Sequence, residues 1–291
     1  MYKVEKEVGT FNSSDGTPIY YEVRGKGEPL VLVYGIACLM NHWHYQIEYF
    51  AKTHKVITFD LRGHHQSQPL GNPKNLSMTD LVRDVVELLT HLNISKAHFA
   101  GHSFGAPLLL ELFRTNPAIV GTLVFINGFS KNPIKGMFGL DVVEPFYFFV
   151  KAQYEEAPDM WTTLWRMAVD NPIAMMLAGA AGGFNLKLTQ FKDIEVYARG
   201  VARMDLRTFL VLFEELMHFD GEEILPTVNI PTLIISGEND NVTPQRFQHE
   251  FHQKIVGSEF VLVPYGSHCT QLDFPDYINI KIEGFLTKNP L

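Results

Sequence analysis

The chain has 291 residues, 46% of them hydrophobic and 19% charged, a balance that excludes a disordered polypeptide. Lysine and arginine number 24 against 32 acidic residues, for a net charge of -8. A basic face for nucleic acid and attraction to an anionic membrane surface are therefore both unexpected. The 2 cysteines, Cys38 and Cys269, make no disulfide framework and are expected as free thiols of a reducing, cytoplasmic compartment.

In chain order, Met1 to Glu7 alternates charge and lacks the apolar core of a targeting leader. Residues 9 to 27 form two alternating runs around Asp15-Gly16 and predict a hairpin. Val31-Leu32-Val33-Tyr34-Gly35 is an apolar run ending in a turn, and Asp60-Leu61-Arg62-Gly63-His64 is a second turn. Ser77 to Leu92 predicts an amphipathic helix, with Ser77 and Asp80 spaced as a capping box and Leu81, Val85, Leu88, Leu89 and Leu92 on one face. Ala97 to Ala100 reads as a strand and Ala106 to Phe113 as a helix closed by Pro117. Further strand-like runs occupy Leu123 to Asn127, Thr232 to Ser236 and Phe260 to Val263. The final helix, Tyr277 to Leu286, follows Pro275.

Alternating strands and helices predict an α/β fold, a mostly parallel twisted sheet flanked by helices. Residues 1–129 and 222–291 form the expected core. Residues 130–221, helical with little β signal, form an expected helical cap inserted after the sixth strand. This insertion holds Met137, Phe138, Phe146, Tyr147, Phe148, Phe149, Trp161, Trp165, Met167, Met175, Met176 and Phe184. Most of them are expected to be core and the remainder to line an apolar pocket. The weakly polar stretch Ile173 to Phe184 is too short to span a membrane.

Between the strand at 97–100 and the helix at 106–113 lies Gly101-His102-Ser103-Phe104-Gly105. A G-x-S-x-G in that setting is a nucleophile elbow, in which a sharp turn presents the serine hydroxyl above the sheet edge. A serine hydroxyl is a weak nucleophile and needs a base, itself oriented by a carboxylate. After the later strand-like runs come Gly237-Glu238-Asn239-Asp240 and Gly266-Ser267-His268, on loops where open α/β sheets place their chemistry. Thr243 and Pro244 are expected to cap and open a helix.

These segments, in this order, resemble the α/β-hydrolase superfamily over nearly the whole chain. The resemblance implies Ser103 as nucleophile, His268 as general base and Asp240 as acid, with Glu238 as fallback and Asp220 as a further competitor. It implies an oxyanion hole from the N–H groups of Phe104 and Ile36. It places Asn127 where some relatives carry an acid. The chain departs from the superfamily at Tyr34, where a histidine is usual, and at His65, where a glycine is usual. The Tyr34 hydroxyl either steadies the loop or faces substrate; otherwise the ring packs beneath the loop.

The function implied is a serine hydrolase acting on an ester or related acyl bond of a small to medium apolar substrate, with Tyr34, His102, Phe129, Phe146 and Trp165 as expected substrate contacts. Carbon–carbon bond hydrolases, lactonases, perhydrolases and aminopeptidase-like enzymes share the triad, and a ligand receptor that keeps it is the alternative from another class. His42, His44, His64, His65 and His102 cluster in sequence without a recognised ligand spacing, so no metal or other cofactor is expected. The expected partner is the small-molecule substrate, with the chain a monomer or homodimer.

Overall fold

The computed structural model describes residues 5–134, 137, 141–180 and 182–291; Phe138 and the first four residues lie outside these. Eight strands form one sheet: β1 (Lys6–Asn12), β2 (Pro18–Arg24), β3 (Pro29–Val33), β4 (Lys55–Phe59), β5 (Ala97–His102), β6 (Val120–Ile126), β7 (Thr232–Gly237) and β8 (Glu259–Val263). Their order is β1-β2-β4-β3-β5-β6-β7-β8. β1 and β2 pair antiparallel, as does β2 with β4, and all other pairs are parallel.

β5, β6 and β7 are buried along their whole length, as parallel strands covered on both faces must be, and apolar residues predominate in β6 and β7 without alternation. The covering helices include α1 (His44–Phe50), α2 (Met78–His91) and α3 (Gly105–Thr115). α2 starts at Ser77, where the capping box is complete: the Ser77 hydroxyl accepts from the Asp80 N–H and the Asp80 carboxylate accepts from the Ser77 N–H.

Between β6 and β7 the chain runs through α4 (Val143–Glu156), α5 (Pro158–Val169), α6 (Pro172–Ala180), α7 (Phe191–Arg203) and α8 (Leu206–His218). The neck of this insertion is closed by a bridge between Lys131 and Asp220 and by the Gly221 N–H donating to Ser130 O at 2.6 Å. The expectation that its large apolar side chains are mostly core is only partly met. Tyr147, Met175 and Phe184 are buried, whereas Phe146, Phe148, Phe149, Met167 and Met176 are exposed. α5 buries no residue at all, although it packs against α4, α6 and α7.

Beyond the insertion lie α9 (Arg246–Lys254), α10 (Thr270–Asp273) and α11 (Pro275–Lys288), the last opening on Pro275. Among the described residues no helix is long and apolar enough to cross a membrane.

Two sets of buried polar groups shape the sheet's C-terminal edge. The first centres on Arg62, wholly buried. Its Nε and Nη2 grip both oxygens of Asp84 on α2 at 2.6 and 2.5 Å, and its Nη1 donates to Asp15 at 2.9 Å and to Asn75 O at 2.8 Å. The turn after β4 is thus tied to the first hairpin and to α2. The second set is the buried imidazoles His42, His64 and His102. Loss of hydration holds His42 and His64 down to about 3 and lowers His102 well below its ordinary value.

Removing one partner of a buried ion pair strands the other, so Arg62→Ala is expected to cost about 3–5 kcal/mol in chemical denaturation. Arg62→Met combined with Asp84→Leu is expected to recover much of that loss. The buried imidazoles are neutral in the fold but take up protons below 6.5 when unfolded. The unfolded state then binds more protons, so stability is complete above about 6.5 and falls as pH drops toward 3, by about 1.4 kcal/mol per pH unit for each group. Denaturation midpoints measured between about pH 7 and pH 4.5 are expected to decline accordingly; a flat profile contradicts this.

Candidate active site

The loops after β3, β4, β5, β6, β7 and β8 meet along the C-terminal edge of the sheet, the edge where open α/β sheets bind ligands. Ser103 follows β5 directly and has φ 52, a left-handed conformation rare for a residue with a side chain and a mark of stored backbone strain. The flanking glycines make this turn possible. A Cβ on Gly101 would meet the Gly105 carbonyl carbon at 2.9 Å, and one on Gly105 would meet Val33 O at 2.6 Å. Neither position accepts a side chain.

Asp240 ends the turn after β7 and is buried. Four donors converge on its carboxylate. The N–H groups of Val242 and Thr243 reach Oδ1 at 2.8 Å each, the Thr243 hydroxyl lies 2.7 Å from Oδ2, and His268 Nδ1 lies 2.9 Å from Oδ2. The carboxylate accepts from the His268 Nδ1–H and so fixes the tautomer, which leaves Nε2 as the basic nitrogen. Of the other carboxylates considered, Glu238 accepts from the Tyr265 N–H and Asp220 from the Glu222 N–H. Asp240 is the one that contacts His268.

Thr243 was expected to cap a helix. Its hydroxyl instead lies between Asp240 Oδ2 and Asn127 O, and α9 begins later, after Gln245, with no side-chain cap. The carboxylate outcompetes the helix end for this hydroxyl.

Asn127, just past β6, is wholly buried with φ 49. Its Nδ2 donates to Ser267 O at 3.0 Å and His268 O at 2.7 Å, and its Oδ1 accepts from the Gly237 N–H at 2.8 Å. One amide thus binds the acid loop to the base loop. The sequence marked this position only as a site where a carboxylate was missing.

The loop of residues 35–38 is supported from the turn after β4. The Ala37 N–H donates to His64 Nε2 at 3.2 Å, and His65 Nε2 lies 2.8 Å from Cys38 O. His65 replaces the usual glycine with φ 39, and its ring holds this loop. Among the described residues, no backbone carbonyl accepts from the N–H of Ile36 or of Phe104.

Tyr34, an expected substrate contact, is corrected by the structure. The ring is wholly buried; its hydroxyl accepts from the Leu61 N–H at 2.8 Å and donates to Asp60 at 3.3 Å, so both hydrogen-bonding roles are satisfied inside the protein. His102 is likewise internal, with Nε2 2.8 Å from His268 O. Phe129 is buried beyond β6, and Phe146 is 64% exposed. Trp165 packs within the insertion, its indole N–H on Val201 O and its ring against Phe209.

The insertion is stitched to the base loop through contacts without a sequence signature. Gly182 O accepts from the His268 N–H at 3.0 Å. Asp273 receives the Asn185 N–H on one oxygen and the Ser267 N–H on the other. Met175, Phe184, Ile194, Ala198, Cys269 and Leu272 form a small apolar cluster at this seam. Both cysteines are free and buried, and Cys38 lies beside His42 and His102.

A family model described as the alpha/beta hydrolase fold matches residues 28–275. A protein from Azorhizobium caulinodans that carries the name carbamate hydrolase RutD is 26% identical over 92% of this chain and 94% of its own length. An (E)-2-((N-methylformamido)methylene)succinate hydrolase from Acinetobacter baylyi is 25% identical over 97% of this chain and 98% of its own. Among solved structures, a bromoperoxidase from Bacillus anthracis superimposes with a TM-score of 0.78 at 20% identity, covering 97% of this chain and 100% of that one. Sheet order, inserted helices and the matched family model agree: this chain belongs to the α/β-hydrolase fold family.

Proposed function

We propose that the chain is a serine hydrolase that cleaves an ester or related acyl bond of a small to medium apolar substrate through an acyl-enzyme. The observation that carries this reading is the buried Asp240–His268 pair on the same sheet edge as a serine held at positive φ. In this reading His268 Nε2 takes the Ser103 hydroxyl proton as Oγ attacks the carbonyl carbon. The N–H groups of Phe104 and Ile36 receive the developing oxyanion; in other hydrolases one such donor contributes about 3–4 kcal/mol. The imidazolium returns the proton to the leaving group as the acyl bond breaks. Water, deprotonated by His268, then releases the acid and restores Ser103.

Two features of the chain support an apolar substrate. Met175 and Phe184 of the insertion pack against Cys269, next to His268, with Leu272 in the same buried apolar cluster. The buried state of Ser103 and His268 supports chemistry shielded from bulk water. A carbamate is the second reading, favoured by the name of a relative; it presents the same electrophilic carbonyl to Ser103.

Stopped-flow hydrolysis of p-nitrophenyl esters of increasing acyl length tests the proposal, with p-nitrophenyl carbamates alongside. The intact chain is expected to give a burst of one equivalent and Ser103→Ala none, with rates highest for medium alkyl chains. A burst that survives Ser103→Ala, or rates highest for short charged acyl groups, contradicts it. A burst with the carbamates alone selects the second reading.

A further inference from the structure

We propose that Cys38, His42 and His102 form a three-ligand site for a soft monovalent cation, copper(I), lying between the loop of residues 35–38 and the nucleophile elbow. One donor atom from each residue lies within 4.8 Å of the others. All three side chains are buried, at 2%, 3% and 1% exposure, and the two imidazole rings lie 4.6 Å apart between centroids. Given metal–donor lengths of roughly 2.0–2.3 Å, closing the set onto one ion takes shifts of about 1 Å.

The proton pattern of the imidazoles leaves a nitrogen free on each. His102 Nε2 donates to His268 O, so Nδ1 carries a lone pair. That atom is buried with no partner. A Cβ built on Gly35 would meet Ser103 Cβ at 3.1 Å, His102 Nδ1 at 3.3 Å and Cys38 Sγ at 3.5 Å, so the nitrogen and the sulfur both face the Gly35 backbone beside the elbow. His42 Nε2 contacts the Gln271 side-chain amide, while His42 Nδ1 and Gln271 Oε1 are both buried without partners. With that amide turned over, Oε1 accepts from the His42 Nε2–H and His42 Nδ1 carries the lone pair. Histidines that bind metals are held in this way, the far ring N–H donating to a carbonyl that fixes the ring.

Charge selects the ion. The side chains acting most strongly on these three are the imidazoles of His44 and His268 and the Tyr197 hydroxyl, and Asp240, the carboxylate nearby, is bonded to His268. On binding, the Cys38 Sγ–H proton leaves to solvent as the sulfur–metal bond forms, and no electron is transferred. A thiolate with a monovalent ion is then neutral overall. A divalent ion would leave an uncompensated positive charge in the interior. Thiolate and imidazole are donors that soft copper(I) accepts. The bound ion ties Cys38 to the residue preceding Ser103.

Anaerobic titration of the reduced intact chain with copper(I), in competition with a chromogenic copper(I) chelator, tests the site. One equivalent is expected to be held by the intact chain and by Cys269→Ser, with an ultraviolet thiolate-to-copper band. Cys38→Ser and His42→Ala, each checked for folding by circular dichroism, are expected to lose the band and to bind at least tenfold more weakly. Retention of the equivalent by folded Cys38→Ser, or its loss in Cys269→Ser alone, overturns the assignment. A parallel titration with cobalt(II) and zinc(II) addresses the charge argument: binding of either as tight as copper(I) overturns the monovalent assignment.

Discussion

The Asn127 side chain spans the ends of β6, β7 and β8, and the position of His268 relative to Asp240 follows from it. Its oxygen takes the Gly237 N–H at the root of the acid loop, and its nitrogen holds the carbonyls of Ser267 and His268. A buried amide is costly unless nearly all its bonds are made, so the three strand ends are held in a single arrangement. The Asp240–His268 contact depends on that arrangement, because parallel strands fix only the roots of their loops. The Thr243 hydroxyl, between Asp240 and Asn127 O, joins the same network.

The other wall of the site rests on a separate support. Arg62, gripped by Asp84 and Asp15, holds the turn after β4 rigid. That turn carries Asp60, His64 and His65, which hold Tyr34, Ala37 and Cys38 in place. The two departures from the superfamily pattern, Tyr34 and His65, thus complement each other: each fills space beside the loop of residues 35–38 and bonds it to the turn. The proposed oxyanion donor Ile36 sits in this doubly tied loop, and electrostatic stabilisation of a transition state requires donors fixed before reaction.

Much of the fold is legible in the sequence where the signal is local. The capping box at Ser77, the glycines flanking Ser103 and the largely apolar runs of β6 and β7 each fix conformation within a few residues. What depends on contacts between distant segments is not legible. Thr243 has the sequence context of a helix cap, and only the proximity of Asp240 and Asn127 redirects its hydroxyl. Phe146 and Met167 have the composition of core residues, yet the inserted layer leaves them exposed. The seam of Gly182, Asn185 and Asp273 joins residues some ninety positions apart by groups that carry no motif. Cys38, His42 and His102 converge although their spacing matches no recognised ligand pattern, because two of them lie on the loop after β3 and the third on β5.

The central claim is that Ser103 is the nucleophile in a site preorganised by these buried networks. Its most direct test is covalent labelling with an alkyl fluorophosphonate, followed by intact-mass measurement and peptide mapping. The account predicts one adduct per chain, on Ser103, and none on Ser103→Ala. A folded intact chain that takes up no label, or an adduct that maps to another residue, contradicts it.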